Sequence, residues 1–414
     1  MRPTAELEAA KRDPWRQAVL LAACVSTGCS ALISTDGFQD REDAAVDVVA
    51  PDGHADTATP DAFVEADASG DASGDASGDA AGSDAEASCE TCSDPSLARA
   101  PCRPNAEDPP TQGEPIVFAL RTIQLGMSPS VPEAWRDLGL DRDCLATTTT
   151  GGSSCKSPEP TQIEDGHQGR DNGFGRNIGT VVQSLVTLSV IPFDPEVREN
   201  DDLELGRRGW VMVVEDFGRV PNDPRVRFTF YMSRGTYSPD GQMQTPTWDG
   251  ADSWWIDPTS LSTIGEPLWV DDNAYVTDHV LVASLPSGIK LVWGVTFGRF
   301  ELSLSETLFY ARLDPSYGEM AGGQLSAAWP AVIAVDEMSR YLGGLGVCPD
   351  DPRHEMFVGQ LTKKVDSRVN FAAEPELACN AISFGVGFTA RAAKLGKVAA
   401  PHPPPPEPCR DGGS

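Results

Sequence analysis

The stretch KLVWGVTFGRFELSLSETLFYARL (Lys290–Leu313) is rich in β-branched and aromatic residues and contains no proline. It reads as two strands, Lys290–Leu304 and Thr307–Leu313, and it sets the fold class. Working outward, the same composition recurs in Ile116–Gln124, Trp210–Val214, Val226–Met232, Ser253–Ile256, Tyr275–Leu285 and Ile382–Ala390, with Gly, Pro, Asn and Asp between the runs. Short strands separated by turn residues predict a mainly β, antiparallel, sandwich-like domain with a few α-helices. The helices are expected at Gly173–Leu188, where Ile178, Val181, Val182, Leu185 and Leu188 line one face, and at Ala327–Leu342 and Arg353–Val369. Pro330 is compatible with a first helical turn.

The 414 residues divide by composition into an expected signal (1–28), an acidic tether (29–88), a cysteine-bearing junction (89–114), a β-rich globular domain (115–398) and a Pro-rich tail (399–414). Lys11, Arg12 and Arg16 precede the apolar stretch Ala18–Ala23, followed by small residues and two cysteines. This is the pattern of an export signal ending at a lipid-acceptor cysteine, and the run is too short to span a membrane as a helix. Cys29 is the favoured acceptor and Cys24 the alternative. Cleavage before Cys29 leaves eight further cysteines, Cys89, Cys92, Cys102, Cys144, Cys155, Cys348, Cys379 and Cys409, an even set suited to disulfides in an oxidising compartment. Closure of Cys144 with Cys155 is expected, as is a clip of the second C-terminal helix by Cys348 and Cys379. Cys409 is expected to pair back to the N-terminal cluster.

The formal net charge is -30, and residues 36–114 carry 20 acidic and 3 basic side chains, more than half of that excess. Repeats of Asp-Ala-Ser-Gly between Asp67 and Gly82 offer no apolar surface to offset the entropy of ordering, so the tether is expected to be disordered and self-repelling. Such acidity argues against nucleic acid and anionic lipid as partners.

Two clusters invite chemistry. Asp141, Asp143, Asp165, Asp171 and Asn172 supply hard oxygen ligands among glycines, as calcium requires. The spacing is not that of an EF-hand and the bidentate Glu is missing. Turns and helix capping at Gly173 are the commoner use of such residues. Trp248, Trp254, Trp255 and Trp269 lie among Asp249, Asp252, Asp257, Asp271 and Asp272, a composition found where rings stack on sugars. In a β-rich domain alternate aromatics more often face the core. Nucleophile-elbow, zinc-helix and phosphate-loop motifs are absent, and His279 beside Asp278 is the only histidine with a catalytic reading worth testing.

The order of these pieces resembles a group of myxobacterial-type surface lipoproteins. The resemblance rests on Gly28–Phe38, the Asp/Ala/Ser/Gly tether, Leu140–Cys144, Gly169–Asn172, Thr247–Trp254, the Cys348 to Cys379 segment and Ala381–Phe388. It implies a lipid-anchored, disulfide-containing domain on the outer membrane or cell surface of a two-membrane bacterium. It implies no particular activity. The functional expectation is a non-enzymatic binding or structural envelope protein with a calcium site, the alternatives being a carbohydrate-binding surface domain and a secreted hydrolase. A glycan or another envelope protein is the expected partner.

Overall fold

The structure is a computed structural model that describes residues 92–401, apart from 112, 129–130, 149–151, 160–162, 188–193, 286–287 and 294–299, together with Cys409. The expected signal, lipid-acceptor cysteines, tether and Cys89 lie outside the described residues.

Alternation builds the sheet. In the strand Ala381–Ala392 (β10), Ile382, Phe384, Val386 and Phe388 join the main core, and Ser383, Gly385 and Gly387 occupy the opposite face. The other strands are β1 (Ile116–Gln124), β2 (Gly209–Glu215), β3 (Asp223–Thr236), β4 (Ser253–Ile256), β5 (Trp269–Thr277), β6 (Val280–Leu285), β7 (Ile289–Trp293), β8 (Phe300–Leu313), β9 (Glu319–Pro330) and β11 (Lys394–Val398). Eight of them pair antiparallel in a ring, β1-β2-β3-β5-β6-β8-β9-β10, and the pairing of β10 with β1 completes it. The domain is therefore mainly β, as expected, but its sheet closes into an up-and-down barrel instead of folding into two sandwiched layers. The fourteen-residue β3 makes closure possible. It pairs with β2 on one side and β5 on the other, with register shifts near Val226 that bend it.

The lumen is filled. Phe118, Trp210, Phe228 and Phe309, from four strands, and Phe384 and Phe388, both from β10, belong to one buried cluster. Eight strands leave an interior that side chains can occupy completely. Outside the ring, β4 and β11 form a parallel pair over the outer face of β1–β3, burying Trp254 and Ile256 against Val211, Val213 and Tyr231. Strand β7 pairs with the first half of β8.

Several expected elements shift. Tyr275–Leu285 is a hairpin turning at Asp278 and His279, both in the left-handed region. The helix expected from Ala327 begins at Ala331 (α3, Ala331–Gly344), because residues 319–330 pair with both β8 and β10. The next helix, α4, spans Pro352–Lys363 and ends before Val369, since Ser367 bridges to Ala381. The expected Gly173–Leu188 helix divides into a π-helical turn, Phe174–Ile178, and α1, Gly179–Thr187. A further helix, α2 (Pro195–Glu204), is capped by Asp194, whose side chain accepts from Glu196 and Val197.

The disulfides correct the expected pairings. Cys155 joins Cys379 instead of Cys144, because Lys156 and Ala378 form a parallel bridge that brings the two segments side by side. Cys144 joins Cys92, and Cys348 joins Cys409 instead of Cys379 or the N-terminal cluster. Cys102 is also disulfide-bonded.

Candidate metal centre

The connection from β1 to α1 lies on the outer face of β9 and β10, where the strands carry small or polar residues. Gly139 and Gly385 touch backbone to backbone: a Cβ on Gly385 would stand 2.7 Å from the Cα of Gly139. The Gly139 amide donates to the Gln324 side chain at 2.8 Å. These contacts place Leu140–Asp143 against the barrel. The second half of the connection then folds over the first. The Asp171 amide donates to the Leu140 carbonyl (3.1 Å), and the Arg142 amide donates to Asp171 Oδ2 (2.7 Å). Asp165 accepts from the Thr147 amide at 2.5 Å, while its own amide donates to the Thr147 carbonyl.

The result gathers three of the five expected ligands. One carboxylate oxygen from each of Asp141, Asp143 and Asp171 lies within 4.8 Å of the others, and all three residues are buried. The Asp141 side chain has no exposed surface, and neither of its oxygens makes a well-formed hydrogen bond; the Cys144 and Leu145 amides only approach it. Its one ionic partner is the partly exposed Arg99 guanidinium, 3.9 Å from Oδ2. A buried carboxylate without well-formed hydrogen bonds is costly, and a cation is the usual remedy.

Electrostatics agree with the geometry. Burial and the neighbouring Asp143 raise the Asp141 pKa to about 7. Burial, then the nearby Asp143, Asp366 and Asp141, push Asp165 up to about 9, the Thr147 amide opposing them. Burial followed by Asp143 and Asp165 holds Asp171 well above the ordinary carboxylate range. Burial raises Asp143 as well.

Asn172 does not join the cluster. Its Oδ1 accepts from the amides of Gly175 and Gly385, and its Nδ2 donates to the Trp135 carbonyl. It caps the π-helical turn and ties it to β10. Asp366, which lacks any local motif, stands behind the cluster instead. Both its oxygens are engaged by Ser383, through the amide (2.8 Å) and the hydroxyl (2.5 Å), and burial raises its pKa to about 6. Asp366 adds negative potential without offering a free oxygen.

Comparison with protein-family models, with curated proteins and with solved structures found no match. The reading therefore rests on the chain itself.

The aromatic cluster is divided, with Trp248 and Trp254 remaining in ring contact at 5.4 Å. Trp254 and Trp269 are buried in two different cores. The half-buried Trp255 stacks on Tyr237 at 4.5 Å, and Arg121 lies over the half-buried Trp248 at 4.6 Å. These ring faces are already occupied by the protein. His279 is a turn residue whose amide donates to Pro221 and whose buried Nδ1 has no hydrogen-bond partner. A catalytic base needs its second nitrogen oriented by a partner, which Nδ1 lacks here.

Proposed function

We propose that the chain is an exported, lipid-anchored, non-enzymatic envelope protein whose barrel domain is braced by a structural calcium ion. The observation that carries the calcium reading is Asp141, a buried side chain with no well-formed hydrogen bond to either oxygen, one of which lies within 4.8 Å of oxygens of Asp143 and Asp171. An all-carboxylate, buried donor set suits a hard cation. It suits calcium over magnesium, which gives up its water shell reluctantly and is seldom held in an all-protein cage. Asp165 supplies a further buried carboxylate within the electrostatic reach of Asp141 and Asp143.

Anchoring is supported by the basic and apolar run before Cys29 and by the disulfide cross-links, which fit an oxidising compartment. The barrel's main apolar core points inward and the apolar outer face of β1–β3 is covered by β4 and β11, whereas outward positions on β5 and β8 include Asp272, Asn273, Glu301 and Arg312. A membrane-spanning barrel has the opposite arrangement, so the lipid on Cys29 is the proposed membrane contact. The domain is then displayed on its acidic tether toward a glycan or another envelope protein.

Equilibrium dialysis against radioactive calcium tests the metal reading: one ion per chain is expected, lost in Asp141→Asn. Absence of binding by the unaltered chain refutes it. Cys29→Ala is expected to move the protein from the membrane to the soluble fraction. If Cys24→Ala does so instead, the acceptor is Cys24.

A further inference from the structure

The segment that follows the tether closes over the carboxylate cluster. The Ala98 carbonyl accepts from the Asp141 amide at 2.8 Å, and the Ala98 amide donates to the Gln168 carbonyl at 2.8 Å. The buried Leu97 packs on Gly169, where a Cβ would come within 2.6 Å of its side chain. Arg99 reaches Asp141. Residues 97–99 thus bridge both loops that carry the expected ligands. Cys92, at the start of this segment, is bonded to Cys144, the residue after Asp143. The two sulfurs and an Asp141 carboxylate oxygen lie within 4.8 Å of one another. Cys144 also adopts the left-handed backbone conformation (φ 64°), which an unbranched residue tolerates only when its surroundings hold it there.

We propose that the Cys92–Cys144 disulfide and the cation site are one linked unit, so that oxidation of this pair sets the calcium affinity and bound calcium protects this bond from reduction. The proposal rests on the calcium reading above. The disulfide fixes the Asp141–Cys144 loop to the overlying 92–99 segment before the ion arrives. Its loss frees the loop, and the ion must then meet the cost of ordering it. Both sulfurs belong to half-buried residues, within reach of a small reductant. Reduction by a dithiol breaks the Sγ–Sγ bond and forms two thiols. The two electrons and two protons come from the dithiol, which leaves as its own cyclic disulfide. Because linkage is reciprocal, whatever factor reduction takes from calcium affinity, calcium must take from the reduction equilibrium. The consequence is a domain that matures in order: the bond forms first in the oxidising compartment, and the cation then locks it.

The test uses the full exported chain. Calcium affinity is measured by dialysis for the unaltered protein, for Cys92→Ser/Cys144→Ser and, as control, for Cys348→Ser/Cys409→Ser, which removes a half-exposed disulfide elsewhere. A weakening of about tenfold or more is expected in the first variant and none in the control. Independently of any variant, the unaltered chain is equilibrated with graded dithiothreitol in calcium, in magnesium or in chelator, and the alkylated cysteines are identified by mass spectrometry. Calcium is expected to lower the reduction potential of Cys92–Cys144 by ~30 mV, the equivalent of tenfold, and to leave Cys348–Cys409 unmoved. If the unaltered chain binds no calcium, the metal reading itself fails. If it binds calcium but neither the serine variant nor the reduction equilibrium shows coupling, the linkage is wrong and the metal reading stands.

Discussion

Acidity should erase the effect of calcium on this domain, and the size of that loss follows from the carboxylates. With the ion at a hundred times its dissociation constant, binding adds about 2.7 kcal/mol to stability. A barrel domain of roughly 300 residues has an unfolding entropy of about 0.6 kcal/mol per kelvin, so the midpoint should rise by ~4 °C. Without metal, the pKa values of Asp141 (about 7) and Asp165 (about 9) are raised by burial and by neighbouring carboxylates. Such groups hold protons more tightly folded than unfolded. Their contribution to the stability of the metal-free domain is complete near pH 4. It is lost as the pH rises through about 7 for Asp141 and about 9 for Asp165. Calcium acts in the opposite sense, because it needs both groups ionised and must expel their protons. Each proton released per ion costs tenfold in affinity per pH unit, about 1.4 kcal/mol, chiefly the one on Asp165 between pH 8 and 7 and those of both groups below pH 7. At fixed calcium, a shift of ~4 °C at pH 8 should therefore fall to ~2 °C at pH 7 and to under ~1 °C at pH 6. Scanning calorimetry of the oxidised domain with calcium or chelator measures this series. Titration calorimetry in two buffers of different ionisation enthalpy measures the protons released. A shift that is unchanged between pH 6 and 8, or grows toward acid, refutes the reasoning even if calcium binds, because it would mean the ion displaces no protons.

Two further perturbations probe the supports of the site. Gly385→Ala puts a methyl group 2.7 Å from the Gly139 Cα and 2.9 Å from its nitrogen, so the loop must lift. A loss of about 1–3 kcal/mol in urea unfolding, with weaker calcium binding, is expected, and unchanged values would show that the two backbones are not in register there. Arg208→Ala leaves Glu199 buried without its ion-pair partner, Asp202 keeping Arg198 and Arg207, and burial already lifts Glu199 to about 7 against the pull of Arg208. A loss of about 3–5 kcal/mol is expected at pH 8, recovered in part by adding Glu199→Gln; no recovery would mean that packing, not charge, held the residue.

Legibility in the sequence followed the range of the interaction. Ile116–Gln124 and Ser253–Ile256 were readable to the residue, because alternation and β-branched content are local. Strand β9 was hidden. Its Ala327-Ala328-Trp329-Pro330 end resembles the start of a helix, and only the partners on either side, β8 and β10, make it a strand. Barrel closure was hidden for the same reason, since it depends on β3 meeting both β2 and β5. Disulfide pairing failed where it was guessed from nearness in sequence: Cys155 and Cys379 are separated by 224 positions and meet through a two-residue bridge.

The candidate metal centre shows where composition stops being informative. Asp141, Asp143 and Asp171, which the structure gathers, were legible with Asp165 because one connection carries them all, and turning chains with Gly and Asp are recognisable locally. The same reasoning put Asn172 forward, and the structure engages its amide elsewhere, with two peptide donors and a carbonyl acceptor. It also missed Asp366, which reaches the cluster from beyond α4 and is held by Ser383 of the barrel. The distinction has a physical consequence. Ligands from one loop can bind a cation weakly in an unfolded chain, whereas the potential contributed by Asp366 and the closure by Ala98 exist only after the barrel has formed. On the proposed calcium reading, selectivity for the folded state, and hence the power to stabilise it, is expected to come from the residues the sequence did not reveal. Asp366→Asn should therefore lower the calcium affinity of the folded domain while leaving the weak binding of the denatured chain unchanged, a comparison that dialysis in the presence and absence of urea can make. Equal losses in both states would place Asp366 outside the field of the site.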